Sequence, residues 1–368
     1  MAARLPDEVW LLLADWSAHP GLALLDRRRR VLLWRRIVVG RLTSWTDAAE
    51  LGAFLADAPV VDVRLRLPPF FVNTALHPLP PSVERLALHL SHLFPTGADD
   101  SPRHNRCASM TTVATTAPRL HVWLGGLTAL RNLTVQMPRQ SLGNAGFVAL
   151  WHVLVACAAG PETLPNLTML TLGVAGNGID DDGVLALLDP EEVRLDQRPR
   201  RPHRSGLREL RLDLGSNRLG ARGVRGLGQA LMGSGSSGGA PATAAIALDR
   251  CEVSLRHNAL VGPEGGAAVG AWLALAAHGG GGVREVLALD VSRNPLGRDG
   301  LEAMVDAAGG VVGLWRRLAL DLRFVGVAGG LAGQTMRRWV RQCAPRVRWL
   351  DLWVGGTSDP LEQSRPSL

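Results

Sequence analysis

The sequence predicts an α/β solenoid, a stack of short strand-then-helix units rather than a domain folded around one large core. Three observations carry that expectation. A spaced set of apolar residues recurs ahead of an asparagine. Within each set the apolar residues alternate, the period of a strand. Behind each set apolar residues recur every three or four positions, the period of a helix.

The spacing is clearest around Asn217, which follows Leu207, Leu210, Leu212 and Leu214 and precedes Leu219 and Gly223. Asn177 repeats it with Leu167, Leu170, Leu172, Val174, Ile179 and Gly183. Asn258 has Leu248, Cys251, Val253, Leu255 and Leu260, and Asn294 has Leu287, Leu289, Val291 and Leu296. Gln140 takes the asparagine place after Leu130, Leu133, Val135 and Met137. Four of the nine asparagines in the chain stand at this one register, so the repeat is not chance.

Each strand part is followed by a helical part: Leu150 and Leu154, Val184 and Leu187, Leu227 and Leu231, Val269 and Leu273. Copies without the asparagine stand at Val60-Val63-Leu65-Leu67, Val83-Leu86-Leu88-Leu90, Trp315-Leu318-Leu320-Leu322 and Val347-Leu350-Leu352-Val354. Degenerate units at the ends suit a stack, because an end unit has one face without a neighbour.

The pattern L-x-x-L-x-L-x-x-N-x-L, with a glycine and an apolar helix behind it, resembles the leucine-rich repeat of the ribonuclease-inhibitor type over roughly residues 60 to 355. That resemblance implies parallel strands on a concave face and helices on a convex one. The asparagines are then expected to bond backbone groups of adjacent turns, a structural role rather than a chemical one.

Composition removes several function classes. All 40 basic residues are arginine, so no P-loop lysine or Schiff-base amine exists. The absence of lysine also suits a component of a ubiquitin ligase, and codon bias predicts it equally. The formal net charge of +7 raises the question of nucleic acid, but the arginines are dispersed among 33 acids and aromatics are 5%. A solvated face is expected, not a nucleic-acid platform.

The cysteines, Cys107, Cys157, Cys251 and Cys343, stand singly, so no metal site and no cofactor are expected. Cys251 falls on a core-facing place and reads as a small apolar residue. No nucleophile, base and orienting carboxylate can be placed together, so no catalytic residue is assigned and an enzyme is not expected. With no apolar stretch of membrane-spanning length and acids near the N-terminus, a cytoplasmic or nuclear location is expected.

"GSGSSGG" at 233–239 satisfies a dinucleotide-loop pattern but follows a helix instead of a strand, so it reads as a linker. It shares its place in the unit with "HGGGG" at 278–282 and the Pro/Arg-rich stretch 189–206.

Ahead of the repeats, residues 5 to 42 have a different pattern. Pro6 and Asp7 precede an apolar run from Val9 to Trp16, His19-Pro20-Gly21 breaks it, and Leu22, Leu25, Val31, Trp34 and Val38 continue as a second helical run. The segment resembles an F-box in Leu5-Pro6-Asp7-Glu8-Val9, Leu13 and Trp34-Arg35-Arg36. It departs in Arg30, which stands where an apolar residue is usual, and in its length. The resemblance implies that Leu5, Pro6, Val9, Leu13 and Trp34 contact a Skp-type adaptor. The alternative is a cap shielding the first repeat.

The expected organisation is thus an F-box-like helical segment (1–45), degenerate repeats (46–93), a polar loop (94–118), the regular array (119–355) and a disordered tail (356–368). Between the core leucines, strand residues must face the concave surface. The candidates for binding a protein target there are Arg211, Asp213, Glu252, Arg256, Asp290, Arg293, Asp321, Arg323 and Trp353, with Phe324 as a further aromatic. The expected function is a non-catalytic interaction protein, a substrate-recognition subunit of a cullin-RING ubiquitin ligase and monomeric outside it. The alternative is a repeat scaffold or inhibitor without a ubiquitin link.

Overall fold

In the computed structural model the described residues are 36–41, 62–67, 79, 81–90, 124, 126–159, 164–188, 206–232, 248–278, 283, 285–309, 315–326, 329–343 and 347–355. The polar loop at 94–118, the inserts at 189–205, 233–247 and 279–282, the tail at 356–368, and Leu5, Pro6, Val9, Leu13 and Trp34 lie outside them.

Among the described residues, strands alternate with helices from the fourth strand onward. In order they are β1 (Arg36–Arg41), β2 (Asp62–Leu67), β3 (Arg85–Leu90), β4 (Asn132–Gln136), α1 (Gly143–Ala159), β5 (Met169–Gly173) and α2 (Asp181–Leu185). Then follow β6 (Glu209–Asp213), α3 (Ala221–Met232), β7 (Arg250–Ser254), α4 (Gly262–His278), β8 (Val286–Asp290), α5 (Gly297–Ala307), β9 (Trp315–Arg323), α6 (Gly329–Cys343) and β10 (Val347–Gly355).

The ten strands form one sheet in chain order, and every neighbouring pair is parallel. Strands stack about 4.8 Å apart while packed helices need about 8–10 Å. Such a stack bends with its sheet on the inside, so the fold is an open leucine-rich-repeat solenoid.

From β2 onward the register carries no slip. Leu133, Leu170, Leu210, Cys251, Leu287, Leu318 and Leu350 are successive partners, and so are Val135, Leu172, Leu212, Val253, Leu289, Leu320 and Leu352. Up to Leu318 and Leu320 these rows are buried against Val184, Val224, Leu227, Val269, Leu273, Leu301 and Met304 of the helices, and Leu350 and Leu352 are partly buried. A one-residue slip would turn a whole row to water, so the alternation read in sequence also sets the register.

The asparagines tie each unit to the one before. Asn217 Oδ1 accepts from the backbone N–H of Asn177 and Ile179, at 2.9 and 3.1 Å. Its Nδ2 donates to the carbonyls of Val174 and Leu214, at 3.1 and 2.9 Å. Asn294 repeats all four bonds, Asn177 accepts from Gln140 N and Leu142 N and donates to Met137 O, and Asn258 accepts from Leu219 N and donates to Leu214 O and Leu255 O. Each is buried, so its side chain replaces water for backbone groups that would otherwise be unpaired.

The residue before each asparagine, and before Gln140 and Val325 at the same place, takes a left-handed backbone: Arg139, Gly176, Ser216, His257, Arg293 and Phe324, with φ between 55° and 70°. Only one is glycine, so the others carry a steric cost of about 1–2 kcal/mol each. Their N–H groups meet the next unit: Ser216 N donates to Arg256 O at 2.7 Å and Arg293 N to Arg323 O at 2.9 Å.

Helices α4 and α5 approach more closely than any side chain would permit. A Cβ on Gly266 would overlap the Gly300 carbonyl, and one on Gly270 the Met304 carbonyl. Small residues at these places let the two backbones touch.

One expectation is corrected. The second helical run was expected to continue through Val38, but residues 36–41 are strand β1, paired with β2. The β-branched pair Val38-Val39 beside Ile37 suits a pleated surface, and an available sheet edge decides the outcome. The sheet therefore begins inside the segment assigned to helices.

Candidate functional site: the open face of the sheet

Strand residues between the core rows line up in three outward columns. The first runs Asn132, Met169, Glu209, Arg250, Val286, Arg317 and Trp349; the second runs Thr134, Thr171, Arg211, Glu252, Ala288, Ala319 and Asp351. The third runs Gln136, Gly173, Asp213, Ser254, Asp290, Asp321 and Trp353. Asp213, Asp290 and Asp321 thus share one column, as the repeat spacing predicts.

In the middle of the face the charges answer one another across strands. Arg211 Nε lies 3.3 Å from Glu252 Oε2. Arg250 reaches both Glu209 and Glu252 at 3.9 Å. These groups are half-exposed, so the pairs contribute little to stability, about 0–1 kcal/mol each. Their effect is to hold long side chains in place and to neutralise the centre of the face.

The aspartate column has a local task as well. Asp213 Oδ1 accepts from Gly215 N at 2.9 Å, Asp290 Oδ1 from Ser292 N at 3.0 Å and Asp321 Oδ1 from Arg323 N at 3.0 Å. Each carboxylate closes the turn that carries the chain off its strand. Ser254 Oγ adds a bond to Asp290 Oδ2 at 3.5 Å.

Arg256 is exposed beyond the end of β7, and its carbonyl is held by Ser216 N. Arg323 grips Asp321 through Nε and Nη2, the latter at 2.6 Å. That hydrogen bond, and then the aspartate charge, raise the Arg323 pKa. Arg293 sits in the left-handed turn position with its guanidinium carbon 5.5 Å from the centre of the Phe324 ring. Trp353, the last of the third column, is half-buried.

The expected residues therefore fall into three groups. Arg211 and Glu252 form a central pair, Asp213, Asp290 and Asp321 close turns, and Arg293, Arg323, Phe324 and Trp353 gather towards the C-terminal end. Trp349 was missed, although it is 50% exposed and Phe324 48%. The available signal is its place immediately before the core residue Leu350, the first outward position of the strand.

Cys251 is fully buried, and burial, with a smaller contribution from the Glu252 charge, pushes its thiol up to about 12. It is a core residue, as its place in the repeat predicts. No helix among the described residues is long and apolar enough to cross a membrane.

A family profile described as a leucine-rich repeat matches residues 166–188, the unit containing Asn177. No curated protein matches the chain significantly. Among solved structures, a chain from the crystal structure of the Rad7 and Elc1 complex in yeast is similar over 98% of this chain and 95% of that one. Its identity is 11% and its TM-score 0.25, too low to carry any functional argument. What the sequence, the sheet and the family profile establish together is a leucine-rich-repeat architecture.

Proposed function

We propose that the chain is a non-catalytic protein-interaction subunit whose open sheet face captures a protein target. The observation that carries this reading is the three-column face, on which side chains from successive strands are fixed by cross-strand pairs and turn bonds. Preorganised arginine side chains are well suited to protein recognition, because little conformational entropy is lost when they are covered.

The proposal extends to the N-terminal segment. Its F-box-like residues Leu5, Pro6, Val9, Leu13 and Trp34 would dock a Skp-type adaptor and make the chain the substrate-recognition subunit of a cullin-RING ubiquitin ligase. Holding a target beside the ligase raises its local concentration without chemistry in this chain.

A second reading is supported by the pairing of β1 with β2: the N-terminal segment would serve as a cap on the first repeat, and the protein would then be a scaffold without a ubiquitin link. Co-purification of the full chain with a Skp-type adaptor separates the two. Capture that is lost in a Leu5→Asp, Pro6→Ala double variant and in a chain lacking residues 1–33 supports the ligase subunit. No capture by the full chain supports the cap. The truncation stops before Arg36 so that β1 stays in the sheet.

A further inference from the structure

The C-terminal unit of the solenoid is strongly basic. Residues 315–355 hold eight arginines against two aspartates, a net charge of +6 within this unit. Both aspartates are engaged, Asp321 by Arg323 and Asp351 by Arg317. Arg316, Arg337, Arg338, Arg341 and Arg348 are exposed.

The same unit ends the sheet. Among the described residues β10 pairs with β9 alone, so its other edge presents backbone donors and acceptors. Leu318 and Leu320 of β9 are fully buried, whereas their partners Leu350 and Leu352 are only half-buried. Natural edges are blunted by charge, proline or a bulge. The nine residues of β10 contain no proline, no bulge against β9, and only Arg348 and Asp351 as charges.

We infer that the free edge of β10 receives an extended segment of a partner protein as an added strand, with apolar residues covering Leu350 and Leu352 and acidic residues beside Arg348 and its neighbours. Main-chain bonds to the edge supply affinity, alternate side chains supply selectivity, and the arginines select acidic over basic segments. The inference rests on the reading of the chain as a protein-binding subunit and names the chemistry of one segment it takes.

The test uses the full chain and a labelled peptide of about ten residues, the length of a strand, with valine and serine alternating between terminal glutamate pairs. A lysine-ended counterpart and two backbone N-methylated versions, methylated at the odd or at the even central residues, complete the set. Binding is read by fluorescence anisotropy.

The expected result is binding of the glutamate-ended peptide at least about ten-fold tighter than the lysine-ended one, and a loss of at least about ten-fold in Arg348→Glu. One methylation pattern abolishes binding and the other spares it, because only alternate N–H groups of an added strand face β10. Equal binding of the two methylated peptides, or no preference for glutamate, overturns the added strand. Oligouridine binding without peptide binding overturns it in favour of nucleic acid, and dimers of the chain that Arg348→Glu disperses overturn it in favour of a second copy. If the peptide fails while an Arg211→Glu, Glu252→Arg exchange still abolishes target capture, this inference falls and the open-face proposal stands.

Discussion

Asn217 and Val325 occupy the same place in their repeats, three residues after the last core leucine and one after a left-handed residue. Asn217 lies inside the stack and joins two turns; Val325 lies near its end, buried but with no amide to offer. The ladder of side-chain amide bonds stops there because valine stands at the asparagine place. In the interior, the demands of each unit are met by its neighbours: core rows are covered, turn groups paired, charges matched. At the end they are not, and half-buried leucines, exposed tryptophan and unbalanced arginines remain. The interior of this solenoid is occupied with being a structure, and its end is left with groups that a partner can use.

The largest effect that breaks this comparison is expected from Asn217→Leu. It leaves Asn177 N, Ile179 N and Val174 O without this partner, and Leu214 O with Asn258 Nδ2 alone. A loss of about 3–5 kcal/mol in chemical denaturation is expected, while Val325→Ala, which removes packing but no hydrogen bond, costs less, about 1–3 kcal/mol. Equal costs at both places would contradict the distinction.

Next is Gly266→Val, which would drive a side chain into the Gly300 carbonyl and separate α4 from α5. We expect a cost of about 3 kcal/mol or more. A variant as stable as the parent would mean that the helices do not touch there.

Cys251 gives a pH-dependent measure of the interior. Its thiol is raised from 9.0 to about 12, so the folded state holds the proton more tightly than the unfolded state. The stabilisation is fully present below pH 9 and is lost as pH rises towards 12. Cys251→Ala should therefore flatten the alkaline part of the stability profile, and at pH near 8 a thiol reagent should leave Cys251 untouched until the chain unfolds. Rapid modification of Cys251 in the folded protein would place it outside the core.

The smallest effect belongs to Arg211→Glu on the open face. Its pair with Glu252 is half-exposed, so stability should change by less than about 1 kcal/mol, with sensitivity to salt. Target capture should fall all the same, which separates binding from folding.

Much of the fold was legible because the repeat spacing states the core twice, once in the alternation of Leu210, Leu212 and Leu214 and again in the asparagine three residues on. The third-column aspartates were legible as a column, but their turn bonds to Gly215, Ser292 and Arg323 were not read, although an aspartate two residues ahead of a turn amide is a known local pairing. Strand β1 was misread because Val38 and Val39 fit either a helix or a strand, and only the neighbouring β2 decides between them. Gly266 and Gly270 look like poor helix residues in isolation, and their use depends on a second helix that no local pattern announces. The arginine excess of the last unit is visible by counting, but its meaning needs the position of β10 at the sheet edge.

Hydrogen exchange followed by mass spectrometry on the full chain tests the division between interior and end most directly. Strands β4 to β8 should exchange slowly and as one cooperative block, while residues 347–355 exchange orders of magnitude faster on their free edge. Protection of β10 equal to that of β6 would show that the end of the sheet is already covered, and would contradict the distinction between a completed interior and an open, partner-seeking end.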